Sequence, residues 1–274
     1  MSIKDVLVLL EPGDRGEHLA DYAVSLAGQT KAYLTAAGIA LEVVPPASFM
    51  GDYPYDIMQQ ATEQARAAVR SAYDKLTQAI PGGVDSQLVT IQALSGQARE
   101  EFGRLARHFD MSIVGQALPG QRDDELMAEA ALFRSGRPVL IVPHIHRGPA
   151  KFGKVMVCWD GGLAAARAIG DSIPLLKLAG RVEVVSVASN RLPPEELPGF
   201  NITRHLARHG INAVVRKLPD GDDIGSILLS YAADSAAELI VMGGYGHSRW
   251  REFVLGGATR TMMEAMTVPV LMSH

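Results

Sequence analysis

The sequence predicts an α/β protein with two tandem domains, each built on a five-stranded parallel sheet flanked by helices. Short aliphatic runs alternate with helical segments along the chain, which is the pattern of βαβ units. The same succession of segments occurs twice, and a chain of 274 residues has room for two domains of ordinary size. We predict that the domains comprise residues 1–145 and 151–274.

Ten runs are predicted strands because they are apolar at successive positions, a pattern typical of strands covered on both faces. In the first half the predicted strands are Val6–Leu10, Tyr33–Val43, Gln87–Leu94, Met111–Val114 and Pro138–Val142. In the second half they are Val155–Cys158, Val182–Val187, Asn212–Leu218, Leu239–Met242 and Pro269–Met272.

The segments between these runs carry apolar residues with the period of an α-helix. Ile224, Ile227, Leu228 and Tyr231 fall at positions i, i+3, i+4 and i+7, which lie on one face of a helix. Asp223 stands just before this segment and is its predicted N-cap. These segments therefore predict helices that cover the sheets.

An internal repeat relates the two halves. The last strand of each half would leave an open sheet edge, so Pro138–Val142 and Pro269–Met272 are predicted to pair and make a pseudo-dimer within one chain. Association of two chains into a homodimer stays open. The matched segments are Asp5–Glu11 with Lys154–Asp160, Ser112–Gly115 with Leu239–Gly243 (after a one-residue slip), and Arg137–Val142 with Val268–Met272.

Composition excludes several classes of protein. The chain has 26 Lys and Arg residues against 30 Asp and Glu residues, a formal charge of −4, so it lacks the basic surplus of a nucleic-acid-binding domain. No apolar run is long enough to cross a bilayer, and Val6–Leu10 is too short for the core of a signal peptide. The single cysteine, Cys158, fits a reducing compartment. We expect a cytoplasmic protein that binds neither nucleic acid nor membranes.

The segment after the predicted strand Leu239–Met242 carries the candidate chemistry. Gly243, Gly246 and Gly256 form the pattern G-x2-G-x9-G, and a helix is predicted to start near Gly257. A glycine-rich turn exposes backbone N–H groups, and the N-terminus of a helix adds further unpaired donors. These features predict a phosphate-binding site. The segment is neither a Walker A loop nor a G-x-G-x-x-G dinucleotide turn.

Four features of the second half occur together: Asp160 at the end of a strand, the run Val241–Gly243, the glycine pattern and the final Pro269–Leu271. With this combination the chain resembles the tandem-domain members of the universal stress protein family. The resemblance implies Rossmann-like domains joined through their last strands. It also implies a stress-response protein that binds ATP or another adenine nucleotide, with or without Mg²⁺, in its second half. The implied contact residues are Asp160, Val187, Met242, Gly243, Gly246, Gly256, Gly257, Ala258 and Thr259.

The second half departs from the family pattern at two positions. Gly257 stands where the family has Ser or Thr after the third glycine, so the backbone N–H is kept and the hydroxyl is lost. Thr259 could supply a hydroxyl nearby. Arg249 stands where many members have glycine. Asp160 also has an alternative role, because it could cap the helix predicted to begin near Gly162.

The first half departs further. Glu11 replaces the aspartate of the second half, and the residues after Gly115 lack G-x2-G. We therefore expect this half to bind no nucleotide and to serve as a structural partner.

Three functions stay open. The first is a nucleotide-dependent signalling module with an unidentified protein partner, the second an interaction scaffold that binds no nucleotide, and the third a slow ATPase. No catalytic set is apparent, since Ser248 lies outside a nucleophile elbow and Cys158 has no identifiable base. His144-x-His146 has the spacing of two metal ligands but lacks a third, so no metal site is predicted.

Overall fold

The computed structural model describes residues 2–11, 13, 16–42, 55–80, 84–94, 96–118, 120–188, 201–244 and 257–274. Within these ranges the chain forms ten strands and eight helices. The strands are β1 (Asp5–Leu10), β2 (Tyr33–Leu41), β3 (Ser86–Ala93), β4 (Met111–Gly115), β5 (Val139–Val142), β6 (Lys154–Cys158), β7 (Arg181–Val187), β8 (Ala213–Leu218), β9 (Leu239–Gly243) and β10 (Val270–Ser273). The helices are α1 (Glu17–Thr30), α2 (Tyr55–Ala79), α3 (Ala98–Ala106), α4 (Arg122–Ser135), α5 (Leu163–Leu176), α6 (Ile202–Arg208), α7 (Ile224–Asp234) and α8 (Gly257–Ala265).

The ten strands form one continuous sheet in the order β3-β2-β1-β4-β5-β10-β9-β6-β7-β8. Neighbouring strands are parallel within each half, and β5 and β10 pair antiparallel where the halves meet. The predicted fold class is therefore confirmed, including the last strands at the interface. The domain bounds 1–145 and 151–274 stay a proposal. The end of the first domain and the start of the second both lie in the connection between β5 and β6.

The sheet is covered on both faces, which explains its continuous apolar strands. Side chains of α1, α2, α5 and α6 pack on one face, and those of α3, α4, α7 and α8 pack on the other. In β6, Val155 and Val157 belong to the first core, whereas Met156 between them belongs to the second. Alternate residues of one strand thus enter opposite cores, so both sets must be apolar.

Local sequence signals identified these elements correctly. Each predicted strand is present, and its ends differ from the predicted ones by at most two residues; Val43, the predicted end of the second strand, lies outside the described residues. Asp223 is the N-cap of α7, since its Oδ1 accepts a hydrogen bond from the backbone N–H of Gly225 at 3.0 Å. The predicted repeat matched β4 with β9 only after a one-residue slip. The observed strand register needs no slip, because it makes Gly115 equivalent to Gly243.

None of the helices in the described ranges combines the length and apolar composition needed to cross a bilayer.

Candidate functional site

The order of strands in the second half makes a topological switch point between β6 and β9, and we refer to the space beyond their carboxyl ends as the crevice. The chain runs outward from β6 through β7 to β8 and then returns to β9 on the other side of β6. The chain therefore leaves the carboxyl ends of β6 and β9 towards strands on opposite sides, β7 after β6 and β10 after β9. Ligands of open parallel α/β sheets bind at such a switch point.

Asp160 lies at the β6 side of this crevice. It is half-buried two residues after the end of β6, and its Oδ1 accepts a hydrogen bond of 2.7 Å from the N–H of Gly162. Gly161 between them has φ +74, a left-handed conformation that favours glycine. Gly162 is the N-cap residue of α5. The carboxylate thus makes a tight turn just ahead of the helix instead of capping its first turn.

Gly243 ends β9 at the other side of the crevice, and its lack of a side chain has a packing reason. A Cβ atom there would lie 2.5 Å from the backbone nitrogen of Ala165 and 2.8 Å from Cβ of Ala164. Both alanines belong to the first turn of α5, so the glycine lets the strand end and the start of this helix come into contact. The close approach brings the unpaired N–H groups of the α5 N-terminus to the same crevice.

Val187 and Met242 are the apolar members of the predicted set. Val187 ends β7 and is 7% exposed, and Met242 precedes Gly243 and is 5% exposed. Because β9, β6 and β7 are consecutive in the sheet, Met242, Asp160 and Val187 come from three neighbouring strands or their immediate ends. Strand spacing sets this group about 10 Å across.

The first described turn of α8 contains the remaining predicted residues. This helix follows β9 and precedes β10, so its N-terminal end lies at the carboxyl edge of the sheet. Gly257 is exposed, and no described atom lies within 4 Å of the position that a Cβ would take. Thr259 is 4% exposed, so its side chain belongs to the packed side of the helix.

Packing against α7 holds α8 in place. Oγ1 of Thr261 lies 3.4 Å from both carboxylate oxygens of Asp223. A Cβ on Gly225 would lie 2.6 Å from Cβ of Thr261 and 3.0 Å from the carbonyl oxygen of Ala258. The glycine therefore allows the two helices to approach closely at the end where the predicted phosphate site lies.

Gly246, Ser248, Arg249 and Gly256, all named in the predicted loop, lie outside the described residues. The structure therefore brings Asp160, Val187, Met242 and Gly243 to one edge, with Gly257, Ala258 and Thr259 on the helix that starts there.

Cys158 at the end of β6 has little nucleophilic character. Burial and the neighbouring Asp160 carboxylate raise the pKa of its thiol to about 12, so the thiol stays protonated at neutral pH. Among the described residues, no group of three or more His, Cys, Asp or Glu side chains could hold a metal ion.

In the first half, a glutamate side chain lies against the corresponding strand end. A Cβ on Gly115, at the end of β4, would overlap Oε1 of Glu11, the counterpart of Asp160. The longer glutamate thus reaches across from β1 to the strand end that Gly243 occupies in the second half.

The residues predicted from the sequence did not include two that lie near these strand ends. Leu163, the first residue of α5, is 92% exposed beside the Asp160 turn. Its position directly after Gly161-Gly162 is the signal that could have drawn attention to it. Gln116 directly follows Gly115 and is 6% exposed, and no local pattern distinguishes it.

Known proteins with the same fold agree with this architecture. Residues 151–274 match the model of the universal stress protein family. A universal stress protein from Synechocystis sp. is 24% identical over 218 residues, covering 76% of this chain and 71% of that protein. The solved structure of a universal stress protein from Archaeoglobus fulgidus is 15% identical and superposes with a TM-score of 0.73, covering 98% of this chain and 97% of its own. A functionally unknown protein from Pseudomonas aeruginosa is 17% identical with a TM-score of 0.60, covering 99% of this chain and 92% of its own. Residues 151–274 therefore form a domain of the universal stress protein family, and the likeness in fold extends over both halves of the chain.

Proposed function

We propose that the second half binds ATP or another adenine nucleotide, and that the protein acts as a nucleotide-dependent binding module with a protein partner. The observation that carries this proposal is the crevice between β6 and β9. Three residues implied by the family pattern support it, each from a separate element at this edge: Asp160 follows β6, Gly243 ends β9, and Gly257 belongs to the first described turn of α8. Their convergence at a topological switch point is the usual arrangement of a ligand site in this fold class.

Each group suits one part of a nucleotide. The Asp160 carboxylate accepts hydrogen bonds from ribose hydroxyl groups, and Val187 contacts the nucleoside end. The loop of Gly243, Gly246 and Gly256 holds the phosphates, together with the backbone N–H groups of residues 257–259. Mg²⁺ would enter on the phosphates, since a metal group built from protein side chains is absent among the described residues.

Calorimetric titration with ATP tests the proposal. The wild type should bind ATP, and the double variant Gly246→Val, Gly256→Val should lose binding because the added side chains block the approach of the phosphates to the backbone. The matched control is Gly96→Val, because no described atom lies within 4 Å of the Gly96 Cβ position and the residue lies in the first half. The control should bind as the wild type does.

A wild type that binds no adenine nucleotide at millimolar concentration would contradict the proposal. The interaction scaffold would then be the better hypothesis, and ATP turnover by any preparation would come from contamination.

A further inference from the structure

The side chain of Gln116 joins the first half of the chain to helix α8. Gln116 directly follows β4, and its backbone N–H donates to the carbonyl oxygen of Val142 at 2.8 Å. Strand register makes it the counterpart of Gly244 in the second half. A buried amide side chain thus takes the place that a glycine has in the second half. The fold that the two halves share does not require this amide, so its contacts must explain it.

Both ends of this amide are hydrogen-bonded. Nε2 donates to the carbonyl oxygens of Met263 at 3.0 Å and Glu264 at 3.2 Å. Oε1 accepts from the backbone N–H of His144 at 3.3 Å, and Nδ1 of His144 lies 3.0 Å from the same oxygen. Gln116 therefore links α8 to the connection between the two halves.

The carbonyl groups that Gln116 binds belong to the last turn of α8. The last four carbonyl groups of an α-helix have no partner within the helix and need one from outside. Here Met262 receives a bond from the N–H of Met266, and Met263 and Glu264 receive theirs from Gln116. A residue of the first half thus caps the C-terminal end of a helix of the second half.

The opposite end of α8 carries Gly257, Ala258 and Thr259 of the proposed nucleotide site. A helix of nine residues is about 13 Å long and moves as a rigid body. An anion at its N-terminus and a donor at its C-terminus both stabilise the helix dipole. A shift at the Gln116 end therefore changes the position of the N–H groups at the other end.

We propose that Gln116 is a positioning residue for the nucleotide site, and that through it nucleotide binding is coupled to the connection at His144. The inference rests on the proposed function, because it concerns regulation of that same site. Coupling between two sites is reciprocal, so a bound nucleotide stabilises the contact of Gln116 with His144 as much as that contact favours the nucleotide.

The first test compares ATP affinity between the wild type and Gln116→Glu. The carboxylate keeps the shape of the side chain, loses the donor and places a negative charge at the negative end of α8, so the Kd for ATP should rise about fivefold or more. Gln29→Glu is a matched control, because Nε2 of Gln29 also donates to a backbone carbonyl across the chain, that of Ala150 at 2.8 Å, without touching α8. Phe102→Leu controls for lost stability, since Phe102 is buried in the first half. Both controls should keep the wild-type Kd.

The second test needs no variant. Hydrogen exchange of the wild type should be slower at the backbone amide of His144 when ATP is saturating, whereas the amide of Ala32 in the first half should exchange at an unchanged rate. This measurement decides the question even if Gln116→Glu fails to fold.

The outcomes separate the two proposals. A wild type that binds no nucleotide rejects the site and the coupling together. A wild type that binds ATP, with an unchanged Kd in folded Gln116→Glu or unchanged exchange at His144, overturns the coupling alone.

Discussion

Leu140 and Leu271 are direct Cα partners in the antiparallel pair β5–β10. Each also has the same place in its own half: Leu140 pairs with Ile113 of β4, and Leu271 pairs with Val241 of β9. A residue that faces its own repeat counterpart lies on a pseudo-two-fold axis. The halves are therefore related by this axis. Because their strands run in opposite directions, the carboxyl ends of the strands lie at opposite edges of the ten-stranded sheet.

The interface at this axis should contribute strongly to stability. Both leucines are fully buried, so Leu140→Ala and Leu271→Ala should each lower the free energy of unfolding by about 2 to 5 kcal/mol. Urea denaturation measures the loss, and the double variant should deviate from additivity because the residues are neighbours. Leu163→Ala, at a leucine that is 92% exposed, should change stability by less than about 0.5 kcal/mol. Equal losses of unfolding free energy at the buried and the exposed leucines would refute the burial of Leu140 and Leu271 at the interface between the halves.

Gly243→Ala should damage both stability and the proposed site. The new Cβ would meet the first turn of α5, which should cost about 1 to 3 kcal/mol in thermal or urea unfolding and weaken ATP binding. Gly170→Ala is the matched control, since Gly170 lies within α5 and its Cβ position has no neighbour within 4 Å in the part of the chain that the structure describes. It should stabilise the protein by up to about 1 kcal/mol, because alanine favours a helix. A neutral Gly243→Ala would show that the strand end and the helix are not in contact.

Gly257→Ser should strengthen ATP binding. No described atom lies within 4 Å of the Cβ position, so the side chain should fit there, and it restores the hydroxyl that the family pattern has at this position. One added hydrogen bond to a phosphate group should lower the Kd by about two- to tenfold in calorimetry. Gly257→Ala adds only the Cβ and should leave the Kd near that of the wild type. If serine and alanine give the same Kd, the hydroxyl has no phosphate to bind at this position.

Glu183 in β7 forms a buried ionic cluster at the amino edge of the second half. It is 1% exposed and lies 2.8 Å from Arg181 Nη2, 3.2 Å from Lys154 Nζ and 2.8 Å from the Tyr231 hydroxyl that donates to it. Burial alone would raise the pKa of this carboxyl, but hydrogen bonds from Tyr231 and Lys154 and the charges of Lys154 and Arg181 outweigh it, so the pKa is lowered.

A lowered pKa in the folded state means that ionised Glu183 stabilises the protein above the unfolded pKa of about 4.3, and that this stability is lost as the pH falls through the folded pKa. Glu183→Gln should cost about 1 to 3 kcal/mol in urea denaturation at pH 7. The difference from the wild type should shrink below pH ~4. Glu100→Gln, at a half-exposed carboxylate 2.9 Å from Arg134, should cost less than about 1 kcal/mol at any pH. A difference for Glu183→Gln that does not change with pH would contradict the assigned ionisation.

Prediction from sequence succeeded where the signal is local. Burial on both faces makes a strand such as Val155–Cys158 apolar at successive positions, and a helix start places Asp223 next to the N–H group that it caps. The pairing of the two last strands was also predictable, because each would otherwise leave an open edge. The sequence by itself thus determined the succession of elements, the two-fold repeat and the glycine-rich connection after β9.

Only the tertiary structure decided which distant residues meet. Gly115 and Glu11 are far apart in the chain, and the carboxylate reaches the glycine only because β1 and β4 are neighbours in the sheet. Gln116 caps a helix 147 residues away, because the antiparallel join brings the end of α8 to the carboxyl edge of the first half. Periodicity reports which face of an element is buried, since it reflects spacings of two to four residues. It carries no information on the strand order and register that bring these side chains into contact.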